Sequence, residues 1–185
     1  MVIQKVFLSM AALASISTAT VASMQPALAA DKDKNAFVSA VVEIKAPPEV
    51  VWKAVHEERK HDPDLAYSKV LQENGDEALI EQKMVLIPVI GAAVNQIHQK
   101  ETLYERIDYK LVKSDRFKAM EGSWVLDPVK DGTKLTLSTH IDIGMPVPKT
   151  MMNSITQKKI QKRLNNVKSQ AETMAKNIAQ ANTTN

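Results

Sequence analysis

The sequence contains no cysteine, only five glycines and few aromatic residues among its 185 residues. The absence of cysteine excludes disulfide bridges, thiol catalysis, thiolate metal sites and lipid attachment to a cysteine. An excess of charge is also missing, because 24 Lys and Arg nearly balance 21 Asp and Glu. No basic block is dense enough to indicate nucleic acid as a partner. The function must therefore be inferred from the hydrophobic pattern.

The first 29 residues are typical of a secretory signal peptide. Lys5 supplies the positive charge, an uncharged apolar run follows, and Ala27 and Ala29 are the small residues that a signal peptidase reads. Cleavage near Ala29 leaves 185 − 29 = 156 residues, enough for one domain in the periplasm or outside the cell. A retained membrane anchor is the alternative, although serines and threonines interrupt the run. The predicted organisation is a signal peptide (1–29), a charged leader (30–36), a ligand-binding domain (37–180) and a polar tail (181–185).

The rest of the sequence predicts an α+β fold with six or seven strands and two helices. Alternation of apolar and polar residues indicates strands, and apolar residues three or four positions apart indicate helices. Asn74-Gly75 and Asp131-Gly132 are typical of tight hairpin turns. The predicted strands are 37–45, 68–73, 77–86, 92–104, 106–112, 117–129 and 133–143, and the predicted helices are 49–60 and 148–179.

Three segments carry a resemblance to a known family. They are 46–52 (APPEVVW) after the first strand, 122–128 (GSWVLDP) and 131–133 (DGT), followed by a proline-rich hinge before the last helix. In this order they resemble the START-like, or SRPBCC, superfamily, in particular its polyketide cyclase and coenzyme Q-binding branches. The resemblance implies a helix-grip fold, in which a curved antiparallel sheet of seven strands wraps around the long C-terminal helix and leaves an apolar cavity.

Such a cavity would hold a lipid, isoprenoid, quinone or polyketide-like compound. Alternation places apolar side chains on one face of each strand, but it does not distinguish a cavity from a solid core. Gln82 shares its face with apolar neighbours and is expected to bind a polar group of the ligand. The predicted ligand-binding residues are Ile80, Gln82, Met84, Leu86, Met120, Trp124, Leu126, Leu137, Thr139, Ile141, Met151, Met152 and Ile155.

A portal to the cavity is predicted at the start of the long helix, with Met145, Met151 and Met152 as its adjustable part. Methionine is flexible enough to repack around different apolar ligands, and it also fills irregular gaps in a core, so both roles stay open. The apolar loop 86–91 suggests a cover for the cavity, a transient membrane contact or a short buried connection. The predicted gate comprises Ile87, Pro88, Val89, Ile90, Met145 and Pro146.

Catalytic signals are weak, and no cofactor or metal is predicted. His56 and His61 are five residues apart, which leaves their rings about 140° apart around a helix and argues against a shared zinc ion. His98, Glu101 and Tyr109 are the candidates for an acid or base inside a pocket, and the sequence pairs none of them.

The sequence therefore favours a carrier of hydrophobic small molecules. The first alternative is an enzyme of the aromatase/cyclase kind that uses the same cavity. The second is an assembly factor that docks through the apolar loop and through basic residues on the long helix, which either attract anionic lipids or are simply solvated. These basic residues are Lys158, Lys159, Lys162, Arg163 and Lys168.

Overall fold

The computed structural model describes residues 37–85 and 91–183 and confirms the predicted α+β architecture. One strand and one helix come first, six further strands follow, and a long helix ends the fold. The strands are β1 (Val38–Ile44), β2 (Leu65–Asn74), β3 (Glu77–Val85), β4 (Ala92–Thr102), β5 (Arg106–Ser114), β6 (Ala119–Val129) and β7 (Gly132–Asp142). The helices are α1 (Pro48–Lys60) and α2 (Lys149–Thr183).

The seven strands form one sheet in the order β1-β7-β6-β5-β4-β3-β2, and every neighbouring pair is antiparallel. Strands that are consecutive from β2 to β7 are therefore also neighbours in space. Gly75 has a φ of 64° in the turn between β2 and β3, a backbone conformation that glycine adopts without strain. Irregularities in the β2–β3 register, between Leu65 and Tyr67 and between Val70 and Gln72, bend the edge strand.

Helix α1 begins where the sequence places two prolines. Pro48 occupies the first turn, where its missing N–H group costs nothing, and Glu49 adds a negative charge at the same end. Val51, Ala54 and Val55 are fully buried because they share the face that packs on the sheet and on α2. This helix thereby lies against both α2 and the adjoining strands β6 and β7.

Helix α2 packs along β1 and α1, with a smaller contact to β7. Ile160, Leu164, Val167 and Ala171 recur every three or four residues and are all buried. They form a first core cluster with α1, β1 and the adjoining ends of β5, β6 and β7. The structure thus confirms a sheet combined with a long C-terminal helix, as in a helix-grip fold.

A second core cluster lies further along the inner face of the sheet. It contains Ile80, Ala93, Ile97, Phe117, Met120 and Ile143. The two clusters are separate, and the strip of sheet between them carries the polar residues of the candidate site.

Two boundaries differ from the sequence-based prediction by three residues or more, and the others agree within two residues. The last helix continues to Thr183, so residues 181–183 of the predicted polar tail are helical. The second strand begins at Leu65 rather than at residue 68, because it pairs with the end of β3. Neither helix within residues 37–85 and 91–183 combines the length and apolar character that a membrane crossing requires.

Candidate functional site

A cavity of about 620 Å³ lies between the inner face of the sheet and the two helices. Strand alternation builds its apolar part, because every second residue of β3, β4, β6 and β7 points inward. This apolar floor consists of Ile80, Ile97, Phe117, Met120, Ile141, Ile143 and Met152. Most of these residues belong to the second core cluster, so the cavity is a space that this cluster lines and leaves unfilled.

A row of polar residues crosses the inner face of the sheet at the border between the apolar floor and the first core cluster. Gln99 on β4 is paired with Tyr109 on β5, Tyr109 with Gly122 on β6, and Gly122 with Thr139 on β7. On β6, Gly122 separates Trp124 of the first core cluster from Met120 of the second. We call these four aligned positions, Gln99, Tyr109, Gly122 and Thr139, the polar row. The side chains of Gln99, Tyr109 and Thr139 line the cavity.

Tyr109 crosses the sheet within this row. Its hydroxyl group lies over Gly122, which has no side chain to block it, and close to Thr139, whose own hydroxyl donates to the backbone oxygen of Glu121 over 3.3 Å. Withdrawal from bulk water raises the pKa of Tyr109 above its ordinary value of 10.0, although Thr139 and two nearby arginines oppose the shift. The phenol is therefore neutral at physiological pH and able to donate a hydrogen bond into the cavity.

A polar cluster on α1 and β4 continues the row. Arg59 donates a hydrogen bond to Gln99, and the Gln99 amide donates to Oε1 of Glu101 over 2.6 Å. Nε2 of His56 lies 3.5 Å from Oε2 of Glu101 and is buried without a hydrogen-bond partner among the described residues. Burial acts to raise the pKa of Glu101, but the interactions with His56, Arg59 and Gln99 outweigh it and lower that pKa.

Arg163 brings a second arginine to the cavity from α2. Its guanidinium group binds the carboxylate of Glu58 through Nε and Nη2, with Nη2 at 3.0 Å, and approaches Asp62 at 3.3 Å. The same group lies 5.2 Å from the ring centre of Trp124, within the range of a cation–π contact.

Burial and ion pairing have opposite effects on the pKa values of Glu58 and Arg163. Burial raises the pKa of Glu58 more than Arg163 lowers it. Burial would lower the pKa of Arg163, but the carboxylates of Glu58 and Asp62 raise it. Arg163 therefore remains charged and is already neutralised by its own partners.

The structure brings most of the predicted ligand-binding residues together around the cavity. Those that line it are Ile80, Gln82, Met84, Met120, Trp124, Leu137, Thr139, Ile141, Met152 and Ile155. Their location follows from strand alternation and from the inward face of the first turns of α2. Their role in binding a ligand stays a prediction.

Four other predicted site residues do not line the cavity. Leu126 shares the inward face of its strand but lies in the first core cluster, under the helices, where no space is left. Met151 and Met145 are 50% and 45% exposed, because they lie on the solvent side of α2 and of the hinge before it. Pro146 is also exposed and does not line the cavity. The residues from Leu86 to Ile90, which include the predicted loop gate, lie outside the described residues.

The three candidate acids and bases are divided by the alternation of β4 and β5. Glu101 and Tyr109 line the cavity. His98 is on the outer face, 49% exposed, with Nε2 at 3.4 Å from Glu77. His61 turns its Nδ1 to the backbone oxygen of Glu57, so it does not join His56.

Sequence reasoning missed the arginines of the site. It assigned Arg163 to a basic flank that either attracts anionic lipids or is solvated, but Arg163 turns inward, because Glu58 and Asp62 offer it carboxylates beneath α2. It considered His56 only as one half of an improbable zinc pair and assigned Arg59 no role, whereas both line the cavity. The residue that could have indicated these arginines is Gln99, which is polar and lies on the inward face of β4. A buried polar side chain needs a hydrogen-bond partner inside the fold.

A family model described as polyketide cyclase / dehydrase and lipid transport matches residues 36–172. No curated protein is significantly similar in sequence to the chain.

Solved structures with the same fold include an aromatase/cyclase, a STAR-related lipid transfer protein and a START superfamily protein. The Zhui aromatase/cyclase from Streptomyces has a TM-score of 0.62 at 16% identity, with 74% of this chain and 93% of that chain covered. A STAR-related lipid transfer protein from Xanthomonas axonopodis has a TM-score of 0.59 at 20% identity, with 72% and 84% covered. A START superfamily protein from Mycobacterium smegmatis has a TM-score of 0.58 at 17% identity, with 77% and 98% covered. At these identities the likeness shows the fold, a START-like one.

The family model matches most of the sequence, and the matched region contains α1, every strand and the first two thirds of α2. The expected superfamily is thereby confirmed, and the chain belongs to the polyketide cyclase/dehydrase and lipid transport family.

Proposed function

We propose that the protein binds and carries a hydrophobic small molecule or lipid in the cavity between the sheet and α2. The observation that carries the proposal is the cavity itself. Its volume of about 620 Å³ is within the range of roughly 300 to 1,000 Å³ typical of small-molecule sites. An apolar floor of aliphatic residues, methionines and Phe117 suits an apolar ligand, whose removal from water drives binding.

Native mass spectrometry of protein purified from its own host tests this proposal, together with extraction and identification of bound lipids. A matched pair of variants adds a control. Ile141→Trp directs a large ring into the cavity and should prevent ligand retention, whereas His140→Trp places the same ring on the opposite face of β7 and should not. Protein that is repeatedly empty and takes up no apolar compound contradicts the proposal.

We also propose that this carrier is exported to the periplasm. Residues 1–29 have the sequence features of a signal peptide, and we infer that the mature chain begins after Ala29. The test is the molecular mass of the protein released by osmotic shock, because cleavage after Ala29 shortens the chain by its first 29 residues. An intact chain retained in the membrane fraction would instead indicate an anchor.

A second candidate function is an enzyme of the aromatase/cyclase kind. It is favoured by the ionisable groups that border the cavity, namely Tyr109, Glu101 and His56. In such an enzyme one of them would move a proton of a folded poly-β-carbonyl chain. The test is conversion of such a chain by the protein. Loss of conversion with unchanged affinity in Tyr109→Phe or Glu101→Gln would support the enzyme, and no conversion by the unaltered protein would leave the carrier.

A further inference from the structure

The two ends of the cavity differ in chemistry. The apolar floor lies on one side, and the polar row with its α1 neighbours, His56 and Arg59, lies on the other. Ser68, Glu73 and Asp76 also line the cavity, from exposed β2 and the turn after it, on the solvent side. Gln82 lies between Ile80 and Met84 on β3, and α2 adds Thr156, Lys159 and Arg163.

We propose that the cavity holds its ligand in one orientation, with a neutral carbonyl or hydroxyl oxygen against the polar row and the apolar body on the apolar floor. This inference rests on the proposed function as a carrier and specifies the class of molecule carried. The ligand is an apolar compound with one uncharged oxygen at its head, rather than a hydrocarbon or an acid.

Hydrogen-bonding groups converge at the polar end. Tyr109 presents a neutral hydroxyl group next to Thr139, and Arg59 presents its guanidinium group beside Gln99. Nε2 of His56 is buried, and Oε2 of Glu101, at 3.5 Å, is too distant for a well-formed hydrogen bond. A ligand oxygen that comes closer to this nitrogen would therefore give it a better hydrogen bond than the protein alone provides.

The charge balance at this end argues against an anionic head group. Arg59 faces Glu101, and Arg163 binds both Glu58 and Asp62. Lys60 and Lys159, which also line the cavity, are paired with Glu57 and Asp64. With ionised carboxylates, each of these cations is therefore balanced by an anion, and none is left for a ligand acid to neutralise. Burying an unpaired carboxylate or phosphate is costly, whereas a carbonyl or hydroxyl oxygen needs only a hydrogen-bond donor.

The test compares three probes with the same chain length and different heads: methyl palmitate, palmitate and hexadecane. Each is supplied from vesicles, and bound probe is measured by native mass spectrometry and by the fluorescence of Trp124, which lines the cavity. We expect the affinity for methyl palmitate to be at least roughly fivefold higher than the affinity for hexadecane, because one net hydrogen bond provides that difference. We also expect it to be higher than the affinity for palmitate at neutral pH.

Tyr109→Phe should remove this preference while leaving hexadecane affinity unchanged, because the ring and its packing remain. Tyr67→Phe is the matched control, since Tyr67 is exposed and outside the cavity lining. Thr139→Val is the second variant if Tyr109→Phe folds poorly. A preference that persists in both cavity variants would overturn the assignment of the polar row.

The orientation has its own readout in a Trp52→Phe background, where Trp124 is the remaining tryptophan. Trp124 is two residues from Gly122 of the polar row. A bromine next to the ester should therefore quench its fluorescence more than a bromine at the chain end, and equal quenching would contradict a fixed orientation.

The outcomes separate the two proposals. If none of the three probes binds, the carrier function fails and the orientation fails with it. If methyl palmitate and hexadecane bind equally, the carrier stands and the polar row has no role in recognition. If palmitate binds tightest, the head group is anionic and the charge argument is wrong.

Discussion

The hydroxyl group of Tyr109 lies where a side chain on Gly122 would project. The two residues are directly paired across β5 and β6, so the Tyr109 ring reaches over its neighbour strand towards Thr139 on β7. A Cβ atom at position 122 would also overlap the backbone oxygen of Ser138. The glycine therefore makes room for the polar row, even though glycine weakens a strand interior.

Gly122→Ala should destabilise the protein by about 1–3 kcal/mol, because neither the ring nor the Ser138 backbone can move away freely. Ser123→Ala, one residue further on the opposite face, should change the free energy of unfolding by less than about 0.5 kcal/mol. Urea unfolding measures both. Equal stability of the two variants would mean that Tyr109 is not held over Gly122.

Arg163 is expected to be important for stability, unlike the lysines beside it. Arg163→Met leaves Glu58, which is 3% exposed, without its main cation. We expect a loss of about 2–3 kcal/mol, below the roughly 3–5 kcal/mol of a fully buried pair, because the Arg163 side chain is 27% exposed. Lys162→Met on the exposed surface of α2 is the control and should be nearly neutral.

A double variant distinguishes an ion pair from simple packing. Adding Glu58→Leu to Arg163→Met removes the unpaired carboxylate and should recover part of the lost stability in urea unfolding. Purely additive losses would indicate that the two side chains do not interact.

Glu58 and Glu101 should give opposite pH dependences. The folded-state pKa of Glu58 is raised above 4.5, so its contribution to stability is present below about pH 4.5 and is lost as the pH rises through the folded pKa. The folded-state pKa of Glu101 is lowered, so its contribution is present above about pH 4.5 and is lost as the pH falls through the folded pKa.

Glu58→Gln should therefore remove a decrease in stability with rising pH, and Glu101→Gln should remove an increase. The free energy of unfolding, measured from about pH 3 to about pH 7, reports both effects. The same direction of change in both variants would contradict the opposing shifts.

The sheet and the long helix could be predicted because their signals are local. Alternation in β6 and β7 places Trp124 and Leu137 inward, and the recurrence of Ile160, Leu164 and Val167 gives the buried face of α2. Both patterns depend on neighbours in sequence, so a single sequence contains them.

The polar end of the cavity could not be predicted in this way. Arg163 and Glu58 are 105 residues apart, and only the packing of α1 against α2 brings them together. Leu126 and Met120 have the same inward direction on β6, yet one is in solid core and the other faces the cavity. Alternation gives the face of a strand, whereas the position of the helices decides where that face is covered.

Met151 and Met152 provide the sharpest test of the portal, because they are adjacent and differ in one respect. Met152 lines the cavity and packs against the second core cluster, whereas Met151 is 50% exposed. Withdrawal of an apolar side chain from water is worth about 1.5–3 kcal/mol, and a ligand that rests on Met152 shares in that gain.

Met152→Ser should weaken binding of methyl palmitate by roughly tenfold, while Met151→Ser should leave it within about twofold. Titration by native mass spectrometry measures both, with thermal melting to show that each variant is folded. Equal weakening by the two changes would mean that both methionines contact the ligand, and that the mouth of the cavity opens further than the structure has it.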